Sequence, residues 1–215
     1  MGGVPPSLPQ RPPPLYVANV HLEAGADKGA TRLAQLRSLL RRVELQRAID
    51  VADAQGRPTV LSPVVDAAGA ALVVAGDCNF DRSSELHAFL AKGRYPDADG
   101  RKRTGASRNA LLPLRDAYLE TQPPWGPRLR SSYRNGRLLD YVWASRTVEV
   151  LRTMPVCELA GSAQPHQLPS AVHPSDHLPI GALLTWAGEP GRSAVGMRPA
   201  WQQLYVENVV RQRKT

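Results

Sequence analysis

The apolar run Ala71–Gly76 (ALVVAG) constrains the fold of this chain more than any other segment. It shows no polar alternation, which predicts a short strand covered on both faces, by helices on one side and by a second sheet on the other. Two polar residues, Asp77 and Asn79, stand directly after this run. Polar groups at the end of a buried strand are costly unless something binds them. We therefore predict a functional site where this strand ends.

The rest of the pattern predicts further strands around this one. The segment 15–22 (LYVANVHL) and the segment 147–156 (TVEVLRTMPV) are typical of strands. Asn135-Gly136 is a strong turn signal, and it predicts a hairpin within 130–145 (RSSYRNGRLLDYVWAS). The segment 173–186 (HPSDHLPIGALLTW) is predicted to be a turn that enters a final strand.

Two helices are predicted between these strands. The first runs from about Thr31 to Asp53, because apolar residues recur at helical spacing along it, and Gly56 and Pro58 follow it. The stripe consists of Leu33, Leu36, Leu40 and Val43, and the solvated face is predicted to carry Arg32, Arg37, Arg41, Arg42 and Glu44. The second helix carries Leu86, Phe89 and Leu90, with Ser83 or Ser84 as its cap.

The 215 residues are enough for one domain with a sizeable core. We predict a Pro-rich, disordered lead-in at 1–14, the folded domain at 15–187, and a linker with a C-terminal helix at 188–215 that can dock on a protein partner. The net charge of +8 favours phosphate-rich partners. Because most of it is arginine in a chain rich in Ala, Gly and Pro, the charge carries little weight alone.

The location of the protein is predicted from what the sequence lacks. No apolar run approaches the length of a membrane span, and the N-terminus has no apolar centre of a secretory signal. Cys78 and Cys157 form neither a metal-type spacing nor a disulfide framework. We predict an intracellular, cytoplasmic monomer that does not enter membranes.

Polar residues recur at the predicted strand ends, and their chemistry suits a phosphate ester. Carboxylates and amides are hard oxygen ligands of the kind that Mg²⁺ or Mn²⁺ prefers, and histidines can hold or protonate a phosphoryl oxygen. Metal-assisted attack of water on a phosphate ester fits this set. Each residue alone also has a structural interpretation, since Asp and Asn commonly shape turns. The set comprises Asn19, His21, Asp77, Asn79, Asp140, Asp176 and His177.

Four motifs, NVHL, VVAGDCNF, LLDYVWAS and HPSDHLPIGAL, follow one another in an order that resembles the endonuclease/exonuclease/phosphatase superfamily. The runs LPSAVHPSDHLPI and RLAQLRSLLRRVE are similar to its branch of nocturnin and carbon catabolite repressor-type deadenylases. The resemblance extends from Leu15 to Trp186. It implies an α/β fold, a two-sheet sandwich flanked by helices in the DNase-like four-layer arrangement, here incomplete at the N-terminus.

The resemblance also implies catalytic roles. Asp77 would orient or deprotonate the attacking water, and Asn79 would hold the phosphate or steady Asp77. His177 would contact the scissile phosphate, and Asp140 would fix the His177 ring. His21 would be a second phosphate contact.

Metal and substrate contacts are implied in the same way. Asp176 and Asp77 would bind Mg²⁺ or Mn²⁺, directly or through water. Asn19 is grouped with the substrate-binding residues. Its expected role is to support the end of its strand and not to catalyse the reaction. A polar loop supplies further candidates for contact with a phosphate chain, namely Arg101, Lys102 and Arg103.

Family members carry more chain before the first His motif, including an Asn and the Glu that is the principal metal ligand. Glu23 follows that motif and does not match the position of this Glu. We expect the chain to be a fragment or incomplete version of a larger nuclease, because the other site residues persist. The alternative is a genuine short product that has lost catalysis. In either case we expect this chain alone to be weakly active or inactive.

The predicted function is divalent-metal-dependent phosphodiester hydrolysis, most specifically a 3′–5′ RNA exonuclease that trims poly(A). One alternative within the superfamily is another phosphoesterase, with DNA, an inositol phosphate or a sphingolipid as substrate. An alternative of another class is a catalytically dead RNA-binding or scaffold module.

Overall fold

The fold is known here from a computed structural model, which describes residues 14–54, 70–93, 111–121, 131–154, 168–169 and 174–187. The lead-in before Pro14, the cluster of Arg101, Lys102 and Arg103, and the segment 188–215 with its predicted helix lie outside the described residues. No helix in the described ranges is long and apolar enough to cross a bilayer.

Strands and helices alternate from the first element to the seventh and two further strands follow, so the chain mixes strands and helices as predicted for an α/β fold, and the predicted fold class is confirmed. The elements are β1 (Leu15–His21), α1 (Gly29–Ala54), β2 (Ala71–Asp77), α2 (Glu85–Lys92), β3 (Arg115–Asp116), α3 (Ala117–Glu120), β4 (Asp140–Ala144), β5 (Val148–Thr153) and β6 (Ala182–Trp186).

The described strands form two sheets. The first has four strands in the order β1-β2-β4-β3, in which β1 and β2 are parallel while β4 is antiparallel to both β2 and β3. The second is the antiparallel pair β5 and β6. β2 is paired on both sides, and its residues Ala71–Val74 are buried, which is what its unbroken apolar run predicts. Apolar side chains of both sheets, α1 and α2 join one core.

Helix α1 lies close to its predicted bounds, and its apolar stripe is buried. Arg32 was wrongly assigned to the solvated face, because its side chain is buried. One guanidinium nitrogen, Nη1, donates to the carbonyl oxygens of Glu23, at 2.8 Å, and Gly25, at 2.7 Å. Arg32 therefore ties the helix to the loop that follows β1, and this contact keeps its charge off the surface.

Helix α2 begins where its cap was predicted, since the Ser84 hydroxyl accepts the backbone N–H of His87 at 3.2 Å. The His87 ring is buried, and its Nε2 lies 3.4 Å from an Asp116 oxygen that also accepts from Arg82 Nε at 2.9 Å. Burial alone would raise the pKa of Asp116, but the hydrogen bonds from His87 and Arg82 outweigh it and hold that pKa below its ordinary value. His87 is thus a structural residue.

The predicted hairpin is wrong in its first arm. The Asn135-Gly136 turn is present, with Gly136 at a φ of 82° and its N–H donating to the Tyr133 carbonyl at 2.9 Å. The described residues before the turn, 131–134, form no strand with β4, because the N–H groups of Ser132 and Tyr133 both donate to the Arg137 carbonyl, at 3.0 Å each. Tyr133 instead makes an isolated antiparallel bridge with His177.

Gly76 marks the closest approach of β1 to β2. Its φ is +130°, and a Cβ built there would lie 2.0 Å from the Val20 carbonyl oxygen and 2.9 Å from Asn19 Oδ1. A backbone oxygen in a paired strand cannot move aside, so both the space and the backbone conformation require glycine.

Replacing Gly76 with alanine is therefore expected to lower the free energy of unfolding by about 3–5 kcal/mol, measured by urea denaturation. The matched control is Gly29→Ala, because a Cβ at Gly29 meets nothing within 4 Å. The free energy of unfolding of this control should stay within about 1 kcal/mol of that of the parent chain. We expect a small increase, because alanine reduces the conformational entropy of the unfolded chain. Equal midpoints for Gly76→Ala and the parent would contradict the close approach.

Candidate active site

Three neighbouring strands bring their polar ends to one edge of the larger sheet. Register pairs His21 at the end of β1 with Asp77 at the end of β2, and Asp77 with Asp140 at the start of β4. Because β1 and β2 are parallel and β4 runs the other way, the ends of the first two strands meet the beginning of the third. The structure thus places three of the predicted site residues side by side.

His177 reaches the same edge from the turn before β6. Its Nδ1 lies 2.8 Å from Asp140 Oδ2, and its Nε2 lies 3.7 Å from Asp77 Oδ2. A carboxylate can only accept, so Nδ1 carries the proton in this hydrogen bond. The Asp140 carboxylate thereby fixes the ring and leaves Nε2 directed towards Asp77.

Asp77 lies at the centre of the cluster. Its Oδ2 is 3.5 Å from His21 Nε2 and 3.3 Å from the Asn79 amide nitrogen, while its Oδ1 accepts the Asn79 backbone N–H at 2.8 Å. Burial raises the pKa of Asp77, and the nearby Asp140 charge acts in the same direction. The Asn79 N–H and the two imidazoles oppose this rise but do not cancel it. A carboxylate with a raised pKa is better suited to accept a proton.

Asn79 reaches the site by a route that the strand pattern did not predict. Continued strand alternation would place Asp77 and Asn79 on one face, but β2 ends at Asp77, and Asn79 has a left-handed φ of 52°. Asparagine tolerates this conformation better than most residues. Its side-chain nitrogen donates to the Leu22 carbonyl at 2.8 Å as well as to Asp77. Asn79 therefore steadies Asp77 and joins the ends of β1 and β2, while Cys78 between Asp77 and Asn79 is buried.

Comparisons with known proteins agree with this geometry. No protein-family model matches the chain. It is 26% identical to Nocturnin of Xenopus laevis over 136 residues, which are 61% of this chain and 31% of that protein. It is also 26% identical to Carbon catabolite repressor protein 4 homolog 4 of Arabidopsis thaliana over 172 residues, which are 78% of this chain and 37% of that protein.

These matches confirm the resemblance to the endonuclease/exonuclease/phosphatase superfamily, on its nocturnin and carbon catabolite repressor branch. Among solved structures, the fold resembles that of ANGEL2, a 2′,3′-cyclic phosphatase solved with adenosine-2′,3′-vanadate. The TM-score is 0.50 at 19% identity, over 78% of this chain and 56% of that one. The chain spans about a third of the length of the curated relatives it matches.

The remaining residues assigned through this superfamily lie near the cluster in sequence but have other contacts. Asn19 is exposed on the same face of β1 as His21. The Asp176 carboxylate lies 3.9 Å from Arg134 Nε, in a pair that is largely exposed. Its carbonyl oxygen accepts the Arg134 N–H at 2.9 Å.

A complete metal site is not formed by the described part of the chain. Within it, no group of three or more His, Cys, Asp or Glu side chains is arranged to hold a metal ion. Asp77 and Asp176 offer the hard oxygen atoms that Mg²⁺ prefers, but they do not make a coordination shell by themselves. Their role as metal ligands stays a prediction.

The sequence did not point to Ser132, which contacts the site most closely among the residues that were not predicted. Its hydroxyl donates to Asp140 Oδ2 at 2.6 Å, and it lies in the turn before β4. A serine in a run of turn-forming residues gives no signal that distinguishes it from its neighbours.

Proposed function

We propose that the protein is a divalent-metal-dependent phosphodiester hydrolase that trims RNA from the 3′ end, with poly(A) as the first substrate to test. The observation that carries this proposal is the Asp77 carboxylate set between two imidazoles, with one of them, His177, held by Asp140. Nocturnin and a carbon catabolite repressor homologue are among the proteins with detectable sequence similarity to this chain, which supports hydrolysis of this type.

The side chains divide the work of hydrolysis between a base and a phosphate contact. Asp77, with its raised pKa, accepts a proton from the attacking water, and Asn79 keeps the carboxylate oriented. As the bond from the water oxygen to phosphorus forms, the bond from phosphorus to the 3′ oxygen of the preceding nucleotide breaks, and that oxygen takes a proton from solvent to become the new 3′ hydroxyl. His177 keeps its Nδ1–H on Asp140, and when the ring is protonated its second N–H, on Nε2, is available to donate a hydrogen bond to a phosphoryl oxygen. The exposed ring of His21 offers a second contact for the same phosphate.

Mg²⁺ or Mn²⁺ would neutralise charge on the phosphate when bound. Asp77 and Asp176 are the described carboxylates proposed to contribute to its site, and further ligands are needed to complete it.

The proposal is tested with the purified 215-residue chain and 5′-labelled oligo(A), in Mg²⁺, in Mn²⁺ and in EDTA. We expect slow stepwise shortening with metal and none with EDTA. Parallel arms contain oligo(dA), an inositol phosphate, sphingomyelin, and RNA that ends in a 2′,3′-cyclic phosphate, the substrate class named for ANGEL2. Turnover of one of these instead of oligo(A) would move the proposal to that substrate.

The Asp77→Asn variant, purified in parallel, is the control for a contaminating nuclease, since cleavage that survives this change does not come from this site. If no arm shows turnover in either metal, and Asp77→Asn binds oligo(A) as tightly as the parent chain, hydrolysis by this chain is refuted. The RNA-binding alternative would then be supported.

A further inference from the structure

Ser132 is fully buried beside the site, with 0% of its surface exposed. Its hydroxyl donates to Asp140 Oδ2 at 2.6 Å, and the same oxygen accepts from His177 Nδ1 at 2.8 Å. The three groups form a continuous series of hydroxyl, carboxylate and imidazole. A short hydrogen bond to an ionised acceptor belongs to the stronger kind found in proteins.

The direction of the hydroxyl proton follows from its other partners. Ser132 Oγ accepts the backbone N–H of Leu139 at 3.0 Å and that of Asp140 at 3.1 Å. A serine hydroxyl has two acceptor lone pairs and one proton. Because two backbone donors occupy the lone pairs, the proton is directed to the Asp140 carboxylate.

The backbone around Ser132 also contacts His177, whose imidazole is the other end of the series. The Ser132 carbonyl accepts the N–H of Leu178, next to His177, at 2.7 Å. The centroid of the adjacent Tyr133 ring lies 4.7 Å from that of the His177 ring. The backbones of these two residues also form an isolated antiparallel bridge. One short segment therefore contacts both the carboxylate and the peptide that carries the imidazole.

We propose that Ser132 is a positioning residue for the reaction proposed above. Its hydroxyl fixes the Asp140 carboxylate in one orientation, and through it the His177 ring. The kinetic part of this inference rests on the proposed function, whereas the orientation of the ring can be measured without catalysis.

The test begins with the proton on His177 Nδ1, observed by ¹H–¹⁵N NMR and assigned by its loss in His177→Gln. We expect a protected, downfield signal in the parent chain, broadened or lost in Ser132→Ala and retained in Ser132→Thr. The matched control is Ser131→Ala, because the Ser131 hydroxyl donates to the Tyr133 and Arg137 carbonyls of the same turn. This control should leave the signal unchanged.

Kinetics on the substrate that the parent chain cleaves give the second readout. Ser132→Ala should lower kcat about tenfold and leave KM within about twofold, because the loss acts through another residue. Ser132→Thr should restore most of kcat. If the parent chain shows no turnover, the proposed function fails, while the NMR signal still decides the role of Ser132.

An unchanged Nδ1 signal in a folded Ser132→Ala chain overturns the inference, and so does the absence of that signal from the parent chain. If Ser132→Ala does not fold, Ser132→Cys replaces it, since a thiol keeps nearly the same volume but is a weak donor. A shifted or broadened signal in Ser132→Cys supports the inference, and an unchanged one refutes it.

Discussion

Replacing Asp77 with asparagine is expected to lower kcat/KM about 1,000-fold, because the variant cannot accept a proton from the attacking water. The asparagine side chain keeps a carbonyl oxygen for the Asn79 N–H, which bonds Asp77 Oδ1 at 2.8 Å in the parent chain. The geometry of the turn after β2 is therefore preserved, and the loss reports on the missing base. The measurement is the rate of oligo(A) shortening at saturating and limiting substrate.

The same substitution is expected to leave the fold as stable as before or more stable. Burial raises the pKa of Asp77, so the folded chain binds this proton more tightly than the unfolded chain does. The ionised carboxylate then opposes folding above its raised pKa, and this cost is relieved as the pH falls through that value. The free energy of unfolding of Asp77→Asn should thus exceed that of the parent chain most at pH 7. This difference, measured by urea denaturation, should shrink towards about pH 4.

The matched control is Asp81→Asn, which removes a carboxylate from an exposed ion pair with Arg137 at 2.8 Å. Exposed pairs of this kind contribute about 0–1 kcal/mol, so activity and stability should both stay near those of the parent. An Asp77→Asn chain with a tenth or more of the parent activity would contradict the assignment of Asp77 as the base. A chain destabilised at pH 7 would show that the bonds to Asn79 and the imidazoles outweigh the cost of burial.

Periodicity was sufficient to predict the elements whose environment repeats along the chain. The unbroken apolar run of β2 and the leucine stripe of α1 each indicate which faces of the element are buried. The predicted bounds of both elements agree with the structure to within a few residues. The polar residues at strand ends were found by the same logic, because Asp77 and Asp140 interrupt apolar runs. The register that sets His21, Asp77 and Asp140 side by side then follows from how the strands pair.

The residues that were misassigned depend on contacts between distant parts of the chain. A charge on an amphipathic helix is predicted to be exposed, and only the carbonyls of Glu23 and Gly25 make the burial of Arg32 favourable. The hairpin failed for a related reason, since a local turn signal does not show that Tyr133 pairs with His177, far along the chain, instead of with β4. Ser132 was missed because its role depends on a carboxylate that only the folded chain brings within 2.6 Å.

The pairing of Asp140 with His177 joins residues that are 37 positions apart in the chain, and a double-mutant cycle tests it directly. Asp140→Asn is expected to lower kcat about 100- to 1,000-fold, because an asparagine amide can offer N–H to Nδ1 and favour the wrong tautomer of the ring. His177→Gln should cause a loss of similar or larger size.

If Asp140 acts by holding the His177 ring, the double variant should be hardly slower than His177→Gln alone, because the carboxylate then has no ring to orient. Both single variants keep side chains of nearly the same size, so their ¹H–¹⁵N amide spectra should remain those of a folded chain. Two losses that multiply in the double variant would mean that each group contacts the substrate independently. The 2.8 Å bond between them would then be structural, and the catalytic arrangement proposed for this edge of the sheet would have to be revised.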